Sequence, residues 1–297
     1  KCRCSSTMLR MKTLELRGPA SMPALGMGTW RMGEDRGQHA SELAALRAGI
    51  AMGYRLIDTA EMYGEGGAEQ LVGEAIEQAV RAGDVEREEL FVVSKAYPHN
   101  AGRDGLPAAC ACSLERLGLD YLDLYLLHWR GEFSLKETVD GMRALVAAGR
   151  IRRWGVSNLD TDDMEELVIA CGGEAHLDCA VNQVYFSVTE RGPEFSLLPW
   201  QQARAMPLMA YSPVDQGSVM RDAGLAKIAS GLGVSAAQLA LAWVLSRQGV
   251  VAIPKAVRQV HLEQNLQAAQ LELSPQVLAE IDRLHPPPKR KRALAMI

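Results

Sequence analysis

Aromatic residues are scarce in this chain of 297 residues: four Phe, five Trp and seven Tyr, sixteen rings in all. Any core must be mainly aliphatic, so the places where rings do fall carry information. An excess of one charge is also missing. Lys and Arg number 32 and Asp and Glu 36, a net of −4, which leaves no electrostatic case for nucleic acid or an anionic membrane. There is no apolar run of about 18 residues, so no membrane span is expected. The basic opening KCRCSSTMLRMK leads into no apolar stretch and is not a secretory signal. Residues 1–11 are expected to be an extension, with Met8 or Met11 as the natural start, ahead of one domain over residues 12–297. The cysteines (Cys2, Cys4, Cys110, Cys112, Cys171, Cys179) are too few for a disulfide scaffold. Their close pairs are C-x-C, not C-x-x-C, which reads as reduced thiols in a cytoplasmic protein.

Several chemistries are missing too. The six histidines (His39, His99, His128, His176, His261, His285) are dispersed, with no H-E-x-x-H or H-x-H to hold a metal. No G-x-S-x-G marks a serine hydrolase, since Gly155-Val156-Ser157-Asn158 lacks the final glycine. No G-x-x-x-x-G-K-[ST] phosphate loop occurs. In Gly64-Glu65-Gly66-Gly67 the position of the last fingerprint glycine is Glu69, so this is no Rossmann turn. Hydrophobic residues at 48% and charged residues at 23% remain, the composition of an ordinary globular protein.

What is present is a rhythm. Eight short apolar runs alternate with amphipathic segments: Ala24–Trp30, Arg55–Thr59, Leu90–Lys95, Leu122–His128, Arg153–Asn158, Ala180–Val184, Leu208–Ser212 and Val250–Lys255. Most are apolar on both faces, as buried parallel strands are. Between them Leu71, Val72, Ala75, Ile76 and Ala79 form a helical stripe closed by Gly83. Ser134 with Glu137 and Ser235 with Gln238 have capping-box spacing, and Ser274-Pro275 opens a last helix. The length permits two domains of about 150 residues or one barrel of about 250. No linker divides the chain, so the α/β class expected is a single (β/α)8 TIM barrel. Lys12–Pro23 is expected to be an N-terminal hairpin on its floor. The stretch Pro286–Arg292 reads as a solvated C-terminal tail.

Each run closes on polar groups: Thr29-Trp30, Asp58, Lys95, His128, Ser157-Asn158, Asn182-Gln183, Tyr211-Ser212 and Lys255. Barrel chemistry sits at the strand C-termini. Tyr63 follows Asp58 by five residues. A free tyrosine, with a pKa of about 10, is a poor acid at neutral pH, but a lysine beside it favours the phenolate. Asp58, Tyr63, Lys95 and His128 thus make a proton relay for a carbonyl or alcohol oxygen. Trp30 and Trp129 are read as an apolar substrate wall, and Tyr185 and Phe186 as core.

These residues resemble the aldo-keto reductase family from about Leu14 to the end. The matching motifs are Gly28-Thr29-Trp30, Asp58-Thr59-Ala60 with Tyr63, Ser94-Lys95, Leu127-His128-Trp129, Gly155-Val156-Ser157-Asn158, Asn182-Gln183, Tyr211-Ser212-Pro213 and Ile253-Pro254-Lys255. Within the family, Arg152–Leu159 and the proline-rich C-terminus look like bacterial methylglyoxal reductases and diketogluconate-reductase-like members. The resemblance implies an NADPH/NADP+-dependent carbonyl reductase without metal, acting as a monomer on a small-molecule carbonyl. It implies Tyr63 as general acid, Lys95 lowering its pKa, Asp58 pairing with Lys95, and His128 orienting the carbonyl, with Trp30 and Trp129 beside the substrate. Cofactor contacts implied are Gly28, Thr29, Trp30, Asp58, Ser157, Asn158, Gln183, Tyr211, Ser212, Pro213, Val214, Ile253, Pro254, Lys255, Ala256, Arg258, Gln264 and Asn265. Ser157, Asn158 and Gln183 would bind the carboxamide and Tyr211 would stack on the nicotinamide. At the 2′-phosphate the chain departs from the family, with Ala256 and His261 where Ser and Arg are common. Arg258 stands nearby as a substitute fork. An alternative is a regulatory NADP(H)-binding member that turns over slowly.

Overall fold

The structure is a computed structural model that describes residues 11–17 and 20–297. The expected extension before Met11, including Cys2, Cys4 and Met8, lies outside the described residues. The chain first forms an antiparallel hairpin of β1 (Thr13–Leu16) and β2 (Ala20–Pro23), in register from Thr13↔Pro23 to Leu16↔Ala20. Eight parallel strands follow: β3 (Gly26–Gly28), β4 (Leu56–Asp58), β5 (Phe91–Ala96), β6 (Leu124–Leu127), β7 (Trp154–Ser157), β8 (Asn182–Tyr185), β9 (Leu208–Tyr211) and β10 (Val250–Ala252). Each pairs with the next in sequence order. The ends meet where Ala252 N–H donates to the Ala24 carbonyl at 2.9 Å and Gly28 N–H to the Pro254 carbonyl at 3.2 Å. At that seam a Cβ on Gly28 would lie 2.5 Å from the Ile253 carbonyl oxygen, so only glycine lets the barrel close there.

Helices cover the outside: α1 (His39–Ala51), α2 (Gly67–Ala82), α3 (Gly105–Leu117), α4 (Leu135–Ala147), α5 (Thr161–Cys171) and α6 (Leu197–Gln202). After β9 come α7 (Ala223–Gly231) and α8 (Ala236–Leu245), and after β10 come α9 (Gln259–Ala268) and α10 (Pro275–Leu284). Strand alternation separates two cores. A small interior cluster holds Leu56, Phe91, Val93, Leu124, Leu126, Val181, Met209 and Val251, joined by Leu16 and Met22 of the hairpin. The hairpin therefore seals the barrel floor, and among the described residues Phe91 is the one fully packed ring of that cluster, with half-buried Tyr211 against its edge. The larger cluster lies between strands and helices and contains Tyr125, Trp154, Phe186 and Trp243.

Sequence punctuation acts as expected at most helix ends. Gly83 takes φ +73° after α2, and Ser235 with Gln238 makes a reciprocal box at α8. At α4 the box is only half made. Ser134 accepts from Glu137 N–H, but the Glu137 carboxylate turns to the backbone N–H of Arg103 at 2.9 Å. A tertiary donor has outcompeted the local one. Cys110 is buried and Cys112 exposed, as i and i+2 on a helix require. No single helix among the described residues is long and apolar enough to cross a membrane.

Candidate active site

The strand C-termini open into a cavity of about 1010 Å³, the size of the larger small-molecule sites, which run to about 1,000 Å³. At its base lies a buried charge pair. Lys95 projects inward from β5 while its neighbour Ser94 points outward to Glu69 of α2 at 2.5 Å. The Lys95 ammonium has three partners: Asp58 Oδ2 at 2.7 Å, the Thr59 carbonyl at 2.9 Å and Tyr63 Oη at 3.1 Å. Its three protons are thereby used, at zero solvent exposure. Gln183 Nε2 donates to the other Asp58 oxygen at 2.7 Å. Thr29 Oγ1 holds the Asp58 backbone carbonyl at 2.9 Å.

Burial disfavours the Lys95 charge, but Asp58 and Tyr63 outweigh it and hold the ammonium above its ordinary range. Burial raises the Asp58 carboxyl, opposed by Lys95 and Gln183. For Tyr63 the sequence expectation of a lowered pKa needs correction. Burial is the largest influence and raises it, while Lys95 pulls the other way without prevailing. The phenol is only 8% exposed, so the charged form loses more hydration than the lysine returns. Tyr63 is thus held as a protonated phenol with a cation waiting behind it. His128 packs edge-on to the Tyr63 ring, centroids 5.8 Å apart. Burial first, then Lys95, hold its imidazole well below the usual histidine pKa, so it is neutral. Its Nδ1 is buried with no partner among the described residues.

Around this centre Trp30, Met62 and Trp129 line the cavity. Tyr97 meets the Trp129 ring edge-on, with centroids 5.9 Å apart. Tyr211 lies opposite Tyr185 in the β8–β9 register and stacks on it, centroids 5.8 Å apart at 15°. Tyr211 Oη donates to Asn158 Oδ1 at 2.9 Å, and Asn158 Nδ2 donates to the His128 carbonyl at 3.1 Å. Tyr185 is therefore half-buried support for Tyr211, not the core residue expected; Phe186 is core.

Of the expected contacts, Gly28, Trp30, Asp58, Ser157, Asn158, Gln183, Tyr211, Ser212, Pro213, Val214, Ile253, Pro254, Lys255, Arg258, Gln264 and Asn265 all line the cavity. Thr29 and Ala256 do not; Thr29, bonded to the Asp58 carbonyl, sits behind the lining, as does Lys95, expected to act through Tyr63. Both ends of the Asn158 side-chain amide bond to protein groups, as does the Gln183 amide nitrogen. Residues not expected include Arg31, Met62, Gln216, Gly217, Met296 and Ile297, while His261, at the position where the resemblance puts a 2′-phosphate arginine, also lines the cavity. Arg31 was legible in principle, since it adjoins Trp30 and its guanidinium covers that ring at 4.4 Å. Met296 and Ile297 carried no local signal.

The donor set suits a dinucleotide phosphate. The Tyr211 face offers a platform beside the acid, and Lys255, Arg258 and the α9 N-terminus supply positive potential to the same cavity. Such a barrel and site define an oxidoreductase of the carbonyl-reducing barrel type. The Aldo/keto reductase family model matches residues 24–286, and the chain belongs to that family. It is 51% identical over 295 residues to Escherichia coli methylglyoxal reductase YeaE, with 97% of this chain and all of that protein covered. It is 36% identical to Bacillus subtilis glyoxal reductase, covering 92% of each. An aldo-keto reductase from Klebsiella pneumoniae solved with NADPH superposes with a TM-score of 0.90 at 48% identity, covering 97% of this chain and all of that one. The chain is an NADP(H)-dependent oxidoreductase.

Proposed function

We propose that residues 12–297 act as one cytoplasmic, monomeric domain that reduces small 2-oxoaldehydes such as methylglyoxal to hydroxy compounds. No nucleic acid or membrane takes part. The observation that carries this reading is the Lys95 ammonium bonded at once to Asp58 and Tyr63 beneath the cavity. Bound NADPH supplies the hydride. Tyr63 Oη donates the proton to the carbonyl oxygen, and Lys95 stabilises the phenolate that remains. Asp58 keeps Lys95 charged and aimed. Neutral His128 offers a hydrogen bond to the same oxygen and so orients the carbonyl. Tyr211, with Ser157 and the amide oxygens of Asn158 and Gln183, fixes one end of the cofactor, and Lys255 with Arg258 takes the phosphate end. Trp30, Trp129 and Met62 leave few polar partners for a long polyol, which favours a compact substrate. The relatives named for methylglyoxal and glyoxal support the same class.

The test is NADPH consumption against methylglyoxal, glyoxal, a simple alkyl aldehyde and a sugar-derived diketone. The highest kcat/KM is expected for the 2-oxoaldehydes. A clear preference for the diketone would reject the substrate assignment. Tight NADPH binding with no turnover on any carbonyl would replace enzyme by sensor.

A further inference from the structure

The loop after β9 is held in an unfavourable backbone shape. Ser212, Asp215 and Gln216 have φ of +47°, +50° and +54°, and Gly217 has +88°. Three non-glycine residues in the left-handed region within five positions cost conformational energy that something else must offset. Ser212, Val214, Gln216 and Gly217 line the cavity. Asp215 does not: its side chain turns away and is 7% exposed. Among the described residues no cation pairs with it. It is met instead by two hydroxyls, Tyr185 Oη at 2.7 Å and Thr189 Oγ1 at 2.5 Å. A buried carboxylate answered only by hydroxyls, at a strained position, is a poor device for stability alone. Burial, then Asp215 itself, keeps the Tyr185 phenol protonated and donating.

Tyr185 has a second contact. Its ring is the one on which Tyr211 stacks. Tyr185 therefore adds a side-chain link, through Asp215, between the middle of the loop and the ring that would carry the nicotinamide, which the backbone joins only at Ser212. From Tyr211 the path continues through Asn158 to the His128 carbonyl. We propose that Asp215 is a positioning residue: through Tyr185 and Thr189 it clamps the 212–217 loop and the Tyr211 platform into one unit that governs how fast NADP(H) leaves. This rests on the NADP(H) reading above. Breaking the clamp frees the strained loop to relax away from the cavity, while the proton relay stays intact.

The test uses Tyr185→Phe, which keeps the stacking ring and loses the hydroxyl, with Asp215→Asn and Thr189→Val. NADPH release is followed by stopped-flow fluorescence with an NADP+ chase, beside NADPH binding at equilibrium and thermal melting. Losing one charge-assisted hydrogen bond is expected to speed release about tenfold. The KM for NADPH should rise with it while the KM for the carbonyl and the single-turnover hydride rate stay near wild type. Release within twofold of wild type in all three variants would overturn the proposal. So would a fall in melting temperature with unchanged release, which would mark a purely structural cluster. Should any variant fail to fold, the remaining ones decide. Failure of the wild type to bind NADPH would strike the cofactor reading instead, a different outcome.

Discussion

At neutral pH a phenol keeps its proton, so the role proposed for Tyr63, protonating a substrate oxygen, requires that the phenolate left behind be stabilised. Lys95 at 3.1 Å is placed to do this, and Asp58 at 2.7 Å helps hold Lys95 charged. A buried ion pair is not a source of stability in itself, but half of one is costly. Lys95→Met is therefore expected to lower unfolding free energy by about 3–5 kcal/mol, measured by urea titration. The double variant Lys95→Met/Asp58→Asn should recover part of that loss. His128 makes the second prediction. Its folded pKa is depressed below the unfolded value of about 6.5 because burial and Lys95 disfavour the cation. As pH falls below that value the unfolded chain takes up a proton that the native site refuses, so stability declines until the folded pKa is reached. Denaturation midpoints of wild type and His128→Gln across pH 5–8 should converge on the acid side. Parallel curves would show that His128 carries no such linkage.

The elements were legible because two periodicities were clean. Eight short runs, most of them apolar on both faces, became eight parallel strands, though most strands are shorter by one to three residues than the runs. Thr29 and Asn158 lie just past their strands, and at Asn158 φ has turned to +59°. Caps were read by residue type, and that works where the partner is local. Ser235→Ala should cost about 1 kcal/mol in chemical denaturation, because the box at α8 is complete. The Glu137 half of the α4 box failed because Arg103 N–H lies within reach, a tertiary fact with no local trace. The same limit hid the Thr59 carbonyl as a Lys95 partner: a backbone oxygen has no letter in the sequence.

On the scale of the whole molecule, the barrel separates an aliphatic interior from an aromatic rim. One Phe enters the interior cluster, while Trp30, Tyr63, Trp129 and Tyr211 face the cavity. The scarce rings are thus segregated: the barrel interior is packed almost wholly by aliphatic side chains, while Tyr125, Trp154, Phe186 and Trp243 pack between strands and helices and four further rings face the cavity. The cavity wall was less legible than the relay, because Met296 and Ile297 arrive from a chain terminus and Gln216 from a strained loop. Lys255 reaches the cavity rim and also bonds the Arg31 carbonyl at 3.1 Å. Lys255→Ala is expected to raise the KM for NADPH by about tenfold or more and that for NADH far less. An equal rise would show that the lysine does not read the 2′-phosphate.

The claim on which the rest depends is that Tyr63 delivers the proton. Its most direct test is the single-turnover rate of hydride transfer from NADPH to methylglyoxal in wild type and Tyr63→Phe, with NADPH affinity measured on both. The expected result is a loss of about 10²–10⁴-fold in rate, with affinity within a few fold of wild type. Equal rates in the two proteins would contradict the account.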